Sequence, residues 1–100
     1  MKRRGVHVHC DPVSAQRLAA VVREFALAAY PPGGSDCAQA AREALLDTAG
    51  RCANHTGGNL LLPKRQLPQL RSAVAWYFSD REPDNPALAT QLGELLGRNR

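Results

Sequence analysis

Residues 6–10 read VHVHC, and their alternation sets how the rest of the chain is organised. Val6, Val8 and Cys10 fall on one side of an extended segment and His7 and His9 on the other. A strand patterned in this way needs a core beneath one face. Its other face offers two imidazoles, and three uses of them are open: a metal ion, a nucleic acid, or contact with water.

One hundred residues make one domain, near the commonest size, with a thin core and much wet surface. The apolar 44% is mostly Ala and Leu. The large residues expected to anchor the core are Phe25, Tyr30, Trp76, Tyr77 and Phe78. Residues 1–10 carry Lys2, Arg3 and Arg4 and no acid, whereas residues 11–58 are close to neutral. Lys64, Arg65, Arg71, Arg81, Arg98 and Arg100 make the last part basic again, for a net charge of +4. A basic arm beside a neutral body suits an anionic partner. The three cysteines are an odd number, and polar VHVHCD follows the basic arm where a secretory signal would be apolar. The expectation is a cytoplasmic protein with reduced thiols and no membrane span. Cys37 and Cys52 lie in helical patterns and are expected in the core.

Asp11 is placed to cap a helix over 11–30, with Pro12 at its first position, where a missing N–H costs nothing. Leu18, Val21, Val22, Phe25, Ala28 and Ala29 mark its inner face. Pro31–Gly34 end it. Ser35 or Asp36 then caps a second helix over 35–53, with Ala38, Ala41, Leu45 and Thr48 or Ala49 inward. The run NLLLP at 59–63 reads as a strand and 64–80 as a third helix, with Pro68 in its first turn. After the turn REPDNP, Pro86 starts a last helix with Leu88, Leu92, Leu95 and Leu96 inward. The fold class is therefore α+β and mainly helical, ordered strand, helix, helix, strand, helix, helix. It forms a single domain over 1–100, in which 1–10 is a basic arm and strand.

Residues 59–100 are a candidate second strand–helix–helix unit. An offset of 52 places Val8 on Leu60, Cys10 on Leu62, Leu18 on Leu70, Val22 on Val74 and Phe25 on Tyr77. All five pairs join apolar or aromatic residues at the same spacing.

The run KRRGVHVHCDPVSAQRLAAVVREF, followed by GSDCAQAAREAL, resembles the ribbon-helix-helix repressors over residues 2–49. That resemblance implies a non-enzymatic DNA-binding regulator acting as a homodimer. Two chains would form an antiparallel ribbon inserted in the major groove, with the second helix's N-terminus on a phosphate. On this reading Lys2, Arg3, Arg4, His7, His9 and Ser35 contact DNA, no cofactor is needed, and Val6, Val8 and Cys10 face the core. If the repeat is real, the C-terminal residues supply the second strand within the same chain.

Two alternatives stand beside it. One is a protein-interaction adaptor of the kind found in phage, plasmid and defence systems. In it Trp76, beside Arg71 and Arg81, forms an exposed hot spot; the plainer role for Trp76 is to cover the core edge against the last helix. The other is a zinc-binding protein using His7, His9, Cys52 and His55, chemically suitable ligands that lack the close CxxC spacing of a zinc signature. No phosphate-loop motif is present, and a Cys/His catalytic pair would need a cleft and a third orienting group.

Overall fold

A computed structural model of the chain describes residues 5–97. The helix starts follow local chemistry. Asp11 is extended, and its carboxylate accepts the Ser14 N–H at 3.2 Å, which starts α1 (Pro12–Ala29). Ser35, not Asp36, caps α2 (Asp36–Ala53), its Oγ accepting the Ala38 N–H at 3.1 Å. Gly50 does not stop α2. The chain turns back only at Gly57 and Gly58, whose φ of +124° and +77° are open to glycine and strained for other residues.

The third helical stretch begins differently from its sequence pattern. Lys64–Gln66 wind as a single 3-10 turn, and α3 runs Leu67–Asp80. Pro68 has no N–H to give the Lys64 carbonyl, so that carbonyl takes the Leu67 N–H instead. After a turn in which the Tyr77 carbonyl accepts both the Arg81 and Glu82 N–H groups, α4 spans Pro86–Gly97.

Strands β1 (Gly5–His9) and β2 (Asn59–Pro63) pair antiparallel. Gly5 faces Pro63, His7 faces Leu61, Val8 faces Leu60 and His9 faces Asn59. The second strand of the ribbon thus comes from the same chain and not from the symmetry mate that the repressor resemblance implies. The element order is the expected one, strand-helix-helix twice over.

Helix α1 lies at the centre, packed on both α2 and α3, and α3 carries α4. Val8, Leu60 and Leu62 seal the ribbon onto this body. The five aromatic residues are not the core. The largest fully buried side chains are Leu18, Leu45, Leu62, Leu70, Leu92 and Leu96, and every aromatic ring is only half-buried. Ala15, Ala19, Ala26, Ala49 and Ala73 take buried positions where small side chains leave little volume for rings, and the rings line the rim. The buried stripe of α1 runs through Ala15, Ala19 and Ala26 as well as Leu18, Val21 and Val22, and Ala28 and Ala29 are exposed. Polar ties cross the helices. The buried Thr48 hydroxyl donates to Gln66 Oε1 at 2.6 Å, and Gln69 Nε2 donates to the Tyr30 hydroxyl at 3.2 Å.

Candidate nucleic-acid interface

The pleat of the ribbon sends alternate side chains to opposite faces. Val6, Val8, Leu60 and Leu62 turn inward, while Gly5, His7, His9, Asn59 and Leu61 turn outward. Across the outer face, His7 sits opposite Leu61 and His9 opposite Asn59. Among the described residues, the side chains of His7, His9 and Asn59 make no hydrogen bond within the protein. Leu61 is 45% exposed and lies over Gly5: a Cβ on Gly5 would come within 2.6 Å of its Cδ1. The missing side chain of Gly5 is what lets Leu61 lie flat on the ribbon.

At the Gly5–Pro63 end, β2 runs directly into Lys64 and Arg65, both exposed. Among the described residues neither takes part in an ion pair. Lys2, Arg3 and Arg4 precede β1 in the chain and lie outside the described residues. The opposite end is fastened to α2. His55 Nε2–H donates to the Cys10 carbonyl at 2.8 Å, and the Cys10 N–H donates to Gly58 O at 3.0 Å.

Ser35 does not join this face. Its hydroxyl is spent on the Ala38 N–H, and Asp36 adds a carboxylate to the same turn. The ribbon is tied to the other end of α2, about 27 Å away along an 18-residue helix.

The four zinc candidates are dispersed. His7 and His9 point outward from the ribbon, His55 is committed to Cys10, and Cys52 is fully buried in the core. Burial, reinforced by Cys10, pushes the Cys52 thiol up to about 12. Among the described residues no three metal-binding groups come together. Cys37, expected in the core, is exposed on the first turn of α2, because the buried stripe begins only at Leu45.

Trp76 is half-buried and packs on α1. Its ring meets Phe25 edge-on at 5.9 Å, and the Arg81 guanidinium stacks 5.3 Å from its centroid. Arg81 also reaches Glu24 at 3.8 Å. Arg71 is drawn away from the indole and donates to the Leu96 carbonyl at the end of α4, at 3.3 Å. The Arg71–Trp76–Arg81 set is therefore split, with one arginine tying α3 to α4 and the other covering the tryptophan.

An open cleft of about 670 Å³ lies beside the α2–β2 loop, with the Arg51–Asp47 ion pair on its wall. Among the described residues no helix is long and apolar enough to cross a membrane.

The outward residues that the sequence pattern missed are Asn59, Leu61, Lys64 and Arg65. The run LLL hides the alternation of β2, but the 52-residue offset carries His7 onto Asn59 and His9 onto Leu61. Comparison with protein-family models, with curated proteins and with solved structures found no match to this chain.

Proposed function

We propose that the protein is a non-enzymatic DNA-binding regulator that lays the outer face of its β1–β2 ribbon in the major groove. The observation that supports this reading is the ribbon itself. Two paired strands are anchored by Val8, Leu60 and Leu62, and turn His7, His9, Asn59 and Leu61 outward, with no side-chain hydrogen bond from His7, His9 or Asn59 among the described residues. A two-stranded ribbon has the width that the major groove admits. Asn59 carries the donor and acceptor that pair with an adenine edge, and Leu61 is an apolar contact for a thymine methyl. Lys64 and Arg65 at one end of the ribbon, with the sequence-adjacent Lys2–Arg4, supply the phosphate contacts. The adaptor alternative has weaker support, since Trp76 is packed against Phe25 beneath Arg81.

The test is fluorescence anisotropy with a labelled random-sequence duplex over a range of salt. Binding is expected at low salt and to weaken steeply as salt rises. Replacing Lys64 and Arg65 by Ala should flatten the log–log slope by about 1.8 units, and replacing Lys2, Arg3 and Arg4 by about 2.7 units, at about 0.9 per phosphate contact. Absence of binding at low salt, or binding that salt leaves unchanged, rejects the proposal.

A further inference from the structure

The ribbon has a symmetric frame and an asymmetric outer surface. Val8 and Leu60 are paired across it and stand 52 residues apart. The same separation relates Cys10 to Leu62, Leu18 to Leu70, and Val22 to Val74, and all eight residues are buried. It also relates Phe25 to Tyr77, and both are half-buried. An antiparallel pair has a local two-fold axis between facing residues. The 52-residue offset that joins Val8 to Leu60 also joins buried positions of α1 to buried positions of α3, and these two helices pack together. Seen from the core, the two directions along the ribbon present matching apolar positions.

Seen from outside they differ. The axis carries His7 onto Asn59 and His9 onto Leu61, so two imidazoles in one direction become a carboxamide and an isobutyl group in the other. The same offset sets Lys64 and Arg65 against Pro12 and Val13, beside the exposed carboxylate of Asp11. Phosphate-binding charge is thus present at one end of the ribbon and replaced by neutral groups and an acid at the other.

A two-fold protein reads a palindromic site because its half-sites meet identical residues. We infer that this protein, binding duplex DNA through the ribbon as proposed above, does so as a single chain in a single orientation on a non-palindromic sequence. Asn59 and Leu61 specify one side of that sequence and His7 and His9 the other. Lys64 and Arg65 set the orientation. No second copy is required, because both strands of the reading element belong to one chain.

The experiment is selection from a randomised duplex pool by the full chain, with the mass of the selected complex measured by native mass spectrometry. The expected result is a non-palindromic site bound by one chain per duplex. Asn59→Ala, at an exposed position, should lower affinity for the selected site roughly tenfold and relax preference at one base pair. His7→Ala should relax preference at a different base pair, and both variants should keep the parent salt slope. Circular dichroism of each variant separates these effects from unfolding. A palindromic site, two chains on one site, or binding without sequence preference overturns the inference and leaves the DNA-binding proposal standing. Failure of the parent chain to bind any duplex at low salt overturns both.

Discussion

The two halves of the molecule, β1–α1–α2 and β2–α3–α4, keep the same order of elements and share several buried positions along the strand and first helix, though buried Ala19 corresponds to exposed Arg71. They part company in their second helices and at their surfaces. Helices α1 and α2 have 18 residues each, whereas α3 and α4 have 14 and 12. The first half fills its share of the core mostly with Ala and Val, beside Leu18 and Leu45, and the second mostly with Leu. The difference teaches where the constraint lies. Side chains that meet across the axis must together fill one volume, so their size and polarity are tied to each other. Outward side chains meet only solvent or a partner, so the halves are free to carry different chemistry there.

The sharpest way to break this comparison is to cut matching holes. Leu18→Ala and Leu70→Ala should each cost about 2–5 kcal/mol, since both leucines are fully enclosed. If the halves are equivalent parts of one cooperative core, urea denaturation gives similar losses with an unchanged slope. A much smaller loss for Leu70→Ala, with a shallower transition, would mean that the second half unfolds by itself.

A smaller effect is expected at the rim, where the halves differ. Glu24 stands where the offset places Trp76, and Arg81 touches both. Trp76→Ala should cost about 2 kcal/mol, roughly half the value for a fully buried ring. A double-mutant cycle with Phe25→Ala should show coupling of about 0.5–1.5 kcal/mol. Because this is the chain's only tryptophan, its fluorescence reports the packing directly. A strongly quenched ring with no change in melting temperature on mutation would return the adaptor alternative to first place.

The smallest effect sets one helix start against the other. Asp11 caps α1, while α3 has no side-chain cap. Hydrogen bonding from Ser14 holds the Asp11 carboxyl below its ordinary value of 3.8. A lowered carboxyl favours the folded state above its unfolded value, and that contribution fades as pH falls through the folded one. Denaturation of the parent chain should therefore show an acid-dependent loss below about pH 4. Asp11→Asn, which keeps an accepting oxygen and cannot titrate, should show less of it. An identical acid profile in both proteins would remove the cap from the account of α1.

Much of the fold was legible because local rules decide it. Asp11-Pro12, Pro31–Gly34 and Gly57–Gly58 start and stop elements by their own backbone preferences. The VHVHC alternation correctly turned Val8 and Cys10 inward and His7 and His9 outward. Half of the candidate face was legible in the same way. Asn59 and Leu61 were not, because three consecutive leucines carry no period and the face of each is set by which residue of β1 it meets.

The sequence by itself determined the order of elements, the inner and outer sides of the first strand, and the basic flanks of the ribbon, since each depends on neighbours within a few residues. Only the tertiary structure decided that β1 pairs with β2 of its own chain in the Val8–Leu60 register. Only it moved the aromatic rings to the rim, separated Ser35 from the ribbon, drew Arg71 to Leu96 and scattered His7, His9, Cys52 and His55. Those outcomes depend on residues tens of positions apart competing for the same space, and side-chain volume settles that competition only when the helices have packed.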